Sequence, residues 1–359
     1  MAHPPPPKDR NGFEIAIICA TKVEADAVEA TFDKIWDHKY ERAPGDTNAY
    51  TTGVIGDHNT VLAYMPGMGK GAAGRMAGSF CSSFTRIRLA LLVGICGGVP
   101  DGGGDRNNKE VLLGDVVIST SIVQYDFGRR WPGRFDRKDT LDDNLGRPNS
   151  EIRGFLVKLQ AWRGTKKLRN NMMRYLAVLL EEADFEESRY PGPDRDKLFQ
   201  AVYRHRHHQS EGRAPCTDCN KGEDNICENA LRSSCSVLGC DETRLVHRER
   251  LVKAQEALES PQPAIHYGRI ASGDTVMRSG EDRDEIARNE KVIAFEMEGA
   301  GIWDSFPCVI IKGISDYADS HKSKEWQAYA AATAASCMKS FLDEWTGSAE
   351  TKCMSMSGT

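Results

Sequence analysis

The stretch Ala294-Phe295-Glu296-Met297-Glu298-Gly299-Ala300-Gly301 decides the reading of this chain. A short apolar strand, Val292 to Phe295, runs into two glutamates and a small-residue turn, so acidic side chains are delivered at a strand end. A second apolar strand, Val309 to Ile314, ends the same way, in Ser315-Asp316-Tyr317-Ala318-Asp319. Two strand ends carrying carboxylates in succession place both where one small ligand could be held.

Working outward, Ile15-Ala16-Ile17-Ile18-Cys19 has the continuous apolar character of a buried parallel strand, and Lys22 to Phe32 then shows helical spacing of Val23, Ala27, Val28 and Ala30. Val54 to His58 and Thr60 to Met65 read as hairpin strands running into the turn Gly67-Met68-Gly69-Lys70-Gly71, with a small-residue helix expected from Ala72 to Phe84. Further strands are expected at Leu89 to Val93, ending in Gly94-Ile95-Cys96-Gly97-Gly98, at Gly114 to Thr120 and at Ile265 to Ser272. Strands alternating with helices imply an α/β/α three-layer architecture around a mostly parallel mixed sheet. The terminal helix, Glu325 to Trp345, should pack on it. A proline-rich leader over residues 1–11 and a tail over 347–359 are expected to be disordered or flexible, which leaves one domain over 12–346. Gly102 to Gly104, in an acidic and polar loop, read as a surface turn.

With 359 residues, 40% of them hydrophobic, the chain can bury a full core. A formal charge of -5 and a pI near 6.0 provide no broad basic field, which argues against nucleic acid as a partner. No apolar run approaches the roughly 20 residues of a membrane span, and the start lacks a signal peptide's apolar stretch, so no membrane partner and a cytoplasmic location are expected. Of 11 cysteines, Cys19, Cys81, Cys96, Cys308 and Cys337 lie in apolar segments and read as reduced core residues.

These motifs, in this order, resemble the purine nucleoside phosphorylase / methylthioadenosine nucleosidase superfamily, and the resemblance covers about residues 12–345. It implies a nucleoside phosphorylase-like fold and cleavage of an N-glycosidic bond, in which a leaving base must be neutralised, a positive ribose stabilised and a nucleophile positioned. Asp316 matches the family's aspartate that protonates the purine at N7, with Ser315 to orient it; a helix cap is the plainer alternative. Glu298 matches the glutamate that accepts the ribose hydroxyls, Met297 the methionine beneath the sugar, and Glu296 a support for the motif; acids at a helix N-terminus would be the structural alternative. Glu24 matches the carboxylate that activates water in the nucleosidase branch, against a solvent-facing helix residue. Gly67, Cys96 and Gly97 belong to the two loops that approach the sugar, and Val276 and Met277 follow Ser272-Gly273-Asp274 at the positions of base-contacting residues, where the family often has an aromatic side chain.

Departures from the family pattern bear on the nucleophile. Phosphorylases of the family carry arginine and serine or threonine where this chain has Leu92 and Ile95, and Ala20-Thr21-Lys22 replaces their glycine-aspartate-proline. Leucine cannot replace a guanidinium fork. Water is therefore the expected nucleophile, acting on an adenosine- or inosine-type purine nucleoside with no catalytic cofactor; phosphorolysis would need Lys70 or Arg75 as an anion contact.

From about residue 128 to 263 charged residues dominate, no strong strand is expected, and Ser150 to Gln160 and Leu168 to Glu182 read as amphipathic helices within a long insertion. It holds Cys216-Thr217-Asp218-Cys219, then Cys227, Cys235 and Cys240, with His205, His207 and His208 upstream. One structural zinc held by Cys216, Cys219 and two later cysteines is expected, with reduced surface thiols or disulfides as alternatives. Tyr125 to Arg129 and Asp139 to Gly146 resemble a fungal subgroup whose members often form the N-terminal domain of larger receptor-like proteins. A non-catalytic nucleoside-sensing module is thus a second class of function. The resemblance further implies a homo-dimer or higher homo-oligomer, with Tyr125 to Trp131 crossing over to a neighbouring subunit.

Overall fold

In the computed structural model, which describes residues 3–104, 110–208, 216–222 and 225–346, the run Ile15-Ala16-Ile17-Ile18-Cys19 forms β1 (Ile15–Cys19) and is buried throughout. A strand without a solvent face needs partners on both edges and layers on both faces. β1 lies parallel to β4 (His58–Tyr64) and β5 (Leu89–Gly98). Outside β4 come β3 (Ala49–Ile55) and β2 (Lys34–Ile35), both antiparallel; beyond β5 come β11 (Cys308–Asp316), β6 (Val116–Gln124), β9 (Ile265–Ser272) and β10 (Val292–Glu296). All these neighbours but β11 and β6 are parallel. β10 then pairs back onto β5, Phe295 with Gly97 and Ala294 with Gly98, closing β5, β11, β6, β9 and β10 into a ring. That closure brings the motif-bearing strand ends together.

Side chains of β1 alternate between two cores, as strand pleating requires. Ile15, Ile17 and Cys19 join α1 (Lys22–Glu29), α4 (Trp162–Glu181) and α10 (Gln327–Glu344); Ala16 and Ile18 face α2 (Lys70–Ser83) and α9 (Gly299–Ile302). The three-layer expectation holds. The helices of the middle of the chain are α3 (Ser150–Gln160), α5 (Glu228–Arg232), α6 (Cys235–Leu238) and α7 (Glu249–Glu256), and α8 (Gly280–Glu290) precedes β10.

Several boundaries differ from the sequence expectation, and each difference has a tertiary cause. β5 runs on to Gly98 because β11 and β10 both supply ladder partners there. β3 begins at Ala49, since Tyr50, Thr51 and Thr52 pair with β4. Residues 128–137, expected to lack strands, form a hairpin of β7 (Gly128–Trp131) and β8 (Arg134–Arg137). Gly102 and Gly103 are buried rather than part of a surface turn: Gly103 has φ +74° and lies so close to the Val292 carbonyl that a Cβ would clash. Within the expected insertion, α3 and α4 belong to the packed layers, with Leu168 and Met172 in the core beside Phe341, and Ser340 donates to the Leu168 carbonyl at 2.9 Å. The described cysteines are all free; Cys19, Cys96, Cys308 and Cys337 are buried and Cys81 is half-buried. Residues 105–109 and 347–359 lie outside the described residues. No helix among the described residues is long and apolar enough to cross a membrane.

Candidate active site

Glu24 is the third residue of α1 and its carboxylate turns back on the end of β1. Oε2 accepts from the backbone N–H groups of Ala20 at 2.9 Å and Thr21 at 2.8 Å, a capping-box arrangement that satisfies the helix start. Oε1 reaches across to β5 and accepts from Ile95 N–H at 2.8 Å. The side chain is buried, not solvent-facing. Gly94 makes this approach possible, because a Cβ there would overlap the carboxylate.

Lys312 completes the arrangement. It sits in the middle of β11, fully buried, with Nζ 3.3 Å from Glu24 Oε1 and 3.6 Å from Glu298 Oε2. Burial alone would lower its pKa, but the Glu24 and Glu298 carboxylates, aided by Glu296, outweigh burial and raise it, so the ammonium stays charged. Glu298 also accepts from Gly69 N–H at 3.3 Å, linking the glycine turn to the second strand end. Glu296 accepts from the N–H of Glu298 at 3.0 Å and of Gly299 at 2.9 Å, which fixes the turn carrying Glu298. Burial first, and then the Glu298 charge, push the Glu296 carboxyl up to about 7.

Asp316 stands at the end of β11. Its Oδ1 accepts from Ala318 N–H at 2.9 Å and pairs with Lys322 Nζ at 3.0 Å; the Ser315 hydroxyl is 3.2 Å from Oδ2. The following residues form a turn, so Asp316 does not cap a helix.

One cavity of about 1000 Å³ is lined by Glu24, Glu298 and Asp316 together with Glu296, Met297 and Ser315. Cys96, Gly97, Val276 and Met277 also face it. Gly67 does not: the adjacent Met68 lines the cavity instead, and a Cβ on Gly67 would meet open space. Phe295 and Phe199 supply aromatic walls that Val276 cannot. The anion contacts weighed for phosphorolysis stand elsewhere. Lys70 is bound to Asp126 at 2.5 Å and Asp274 at 3.7 Å, and Arg75 is exposed on α2, neither lining the cavity.

Sequence reasoning missed Lys312 and His321. A lysine inside Cys308-Val309-Ile310-Ile311-Lys312-Gly313-Ile314 was a legible signal, since buried lysines require partners. His321 carried none, because its partners lie some eighty residues earlier in the chain, at Cys235 and Cys240.

The metal-ligand side chains also group differently from the single set expected. Cys216, Cys219 and Cys227 converge with His207, whereas Cys235 and Cys240 converge with His205 and His321. His208 joins neither group; it stacks on Tyr203 and its Nε2 is 2.9 Å from the Arg204 carbonyl.

The phosphorylase superfamily model matches residues 14–177 and 205–343, and the chain belongs to that superfamily. A nucleotide-binding leucine-rich repeat (NLR)-like protein of Hyaloscypha variabilis is 32% identical over 336 residues, covering 92% of this chain and 29% of its own length. The chain therefore spans less than a third of that relative. An aminodeoxyfutalosine nucleosidase of Helicobacter pylori is 33% identical over 99 residues, 25% of this chain and 43% of the relative. Among solved structures, a Helicobacter pylori 5'-methylthioadenosine/S-adenosyl homocysteine nucleosidase aligns over 93% of this chain and 100% of its own with a TM-score of 0.52 at 16% identity. The native futalosine hydrolase of the same species aligns with the same score and identity, over 99% of its own chain. These structural likenesses concern the fold.

Proposed function

We propose that this domain is a purine nucleoside N-ribohydrolase, splitting adenosine- or inosine-type substrates to free base and ribose with water as nucleophile. The observation that carries the reading is the occupant of the anion position. The backbone donors at the ends of β1 and β5 and the Lys312 ammonium are all engaged by the carboxylate of Glu24. A phosphate dianion entering there would meet the buried carboxylate of Glu24 and the apolar side chain of Ile95.

In this reading Glu298 accepts the ribose hydroxyls, held in register by Glu296 beneath its backbone and by Lys312 at Oε2. Four donors already surround Glu24, which fills the lone-pair sites of a carboxylate. The Lys312 contact, at 3.3 Å, is the longest of them. It is the one that gives way when Glu24 orients a water, and Glu298 keeps the ammonium within reach. Asp316 meets N7 of the leaving base, with Lys322 at hand to return a proton and Ser315 to fix the carboxyl plane. Met297 packs under the sugar; Phe295 and Phe199 border the base.

Turnover of adenosine and inosine in phosphate-free buffer, with identification of the sugar product, tests the proposal. Ribose formed at a rate indifferent to added phosphate is the expected result. Phosphate-dependent formation of ribose 1-phosphate would refute it. A second reading has support in the NLR-like relative from Hyaloscypha variabilis: the chain would then be the nucleoside-sensing module of a larger protein. Substrate binding without product, in protein of native stability, would favour that reading.

A further inference from the structure

The segment from Ala201 to Arg248 is poorly supplied with core. Its own buried cluster, among the described residues, is Cys219, Ala230 and Leu238, and its helices α5 and α6 are five and four residues long. So little apolar burial cannot offset the ordering of such a segment; small units of this kind are held by cross-links or metal ions. We propose that two zinc ions hold it, one bound by His207, Cys216, Cys219 and Cys227, the other by His205, Cys235, Cys240 and His321, and that the second ion clamps the segment to the loop that follows Asp316.

The geometry is that of two tetrahedra. In each group the four donor atoms lie within 4.8 Å of one another. With Zn–S of about 2.3 Å and Zn–N of about 2.0 Å, a tetrahedral site has S···N edges of about 3.5 Å. His207 Nδ1 lies 3.6 Å from Cys219 Sγ and 3.4 Å from Cys227 Sγ. In the second group Cys235 Sγ is 3.5 Å from both His205 Nδ1 and His321 Nδ1, and Cys240 Sγ is 3.6 Å from His205 Nδ1. The opposite ring nitrogens are engaged as metal-ligating histidines require: His205 Nε2 lies 2.8 Å from the Ser233 carbonyl and His321 Nε2 3.2 Å from that of Tyr203. An N–H donated to those carbonyls leaves each Nδ1 lone pair facing the thiols. Thiolate and imidazole donors in closed sets of four select zinc over hard cations, and leave no open position for catalysis.

The second site spans two parts of the fold. Three of its ligands come from the segment, and His321 comes from the loop five residues beyond Asp316. Neighbouring contacts run the same way: His205 N–H donates to Ser320 Oγ at 3.0 Å, Tyr317 Oη donates to Asp196 at 2.6 Å, and Phe199 stacks on the His321 ring. His205, Cys235 and His321 all face the cavity. The ion would thus brace one wall of it.

The metal assignment stands apart from the nucleosidase reading, and its readout is metal content rather than turnover. Protein produced in zinc-supplemented medium and purified under reducing, chelator-free conditions is expected to carry two zinc ions per chain by elemental analysis. Cys216→Ser/Cys219→Ser and Cys235→Ser/Cys240→Ser should each carry one. Should the double variants not fold, His321→Asn, which alters the second site from outside the segment, is expected to keep one ion after a mild chelator wash that leaves two in the unmodified protein. Cobalt loading of the unmodified chain should saturate at two equivalents with the intense visible bands of tetrahedral thiolate-bound Co(II). Zero or one zinc in the unmodified chain, an octahedral cobalt spectrum, unchanged zinc retention in His321→Asn, or a Cys235–Cys240 disulfide in protein alkylated at lysis would overturn the proposal.

Discussion

Lys312→Met is the most demanding test of the site. The substitution keeps the stem of a fully buried side chain but removes the ammonium lying between Glu24, 3.3 Å away, and Glu298, 3.6 Å away. Removing one partner of a buried ion pair typically costs about 3–5 kcal/mol, because the other charge is left uncompensated. Glu24 keeps three backbone donors and Glu298 keeps Gly69 N–H, so the lower end, about 3 kcal/mol, is expected. At about 2 °C per kcal/mol for a large domain this is a fall in Tm of about 6 °C. The sign of the pH dependence follows. The Lys312 pKa is raised in the fold, so its contribution is fully present below the ordinary lysine value and is lost only at higher, strongly alkaline pH. In the variant, two buried carboxylates face one another, and protonating one relieves the repulsion. The deficit relative to the unmodified protein should therefore be largest at pH 7 to 8 and shrink toward pH 5, as read by denaturant unfolding across that range. A deficit below about 1 kcal/mol at pH 7.5, or one that does not change with pH, would show that Lys312 does not bridge the two carboxylates.

Asp316→Asn should lose turnover by about 10²–10⁴-fold with substrate binding retained, whereas Glu298→Gln should weaken binding and turnover together; steady-state kinetics with calorimetric binding separates the two. Gly94→Ala should displace the Glu24 carboxylate from Ile95 N–H and abolish most turnover, and full activity in this variant would place the reacting water elsewhere. The β7–β8 hairpin exposes Trp131 and Phe135, with Phe127 exposed just before it, and sedimentation is expected to show at least a dimer that Trp131→Glu dissociates; an active monomer would refute this.

The motifs at the strand ends were legible because buried parallel strands are written as unbroken apolar runs, and because the residues that follow them in sequence remain at their ends in space. Glu24, Glu298 and Asp316 could be named from the family resemblance that those motifs carry, although no periodicity says that three separate strand ends meet. Their meeting depends on β10 returning to β5, a pairing between segments almost two hundred residues apart. The same closure extended β5 and buried Gly103, which local composition had placed at the surface.

The cysteine-rich segment shows the division most clearly. Its sequence alone determined that thiols and imidazoles were gathered there, and that the surrounding residues were too polar to fold around an apolar core. Only the tertiary structure decided how those ligands divide, because His321 approaches from the loop beyond Asp316 and draws Cys235 and Cys240 away from Cys216 and Cys219. A tetrahedral donor set is defined by distances of a few ångströms between side chains, and spacing along the chain constrains such distances only when every ligand comes from one local stretch. The same holds for Lys312: the sequence marked a lysine in an apolar strand, and packing decided which two carboxylates hold it.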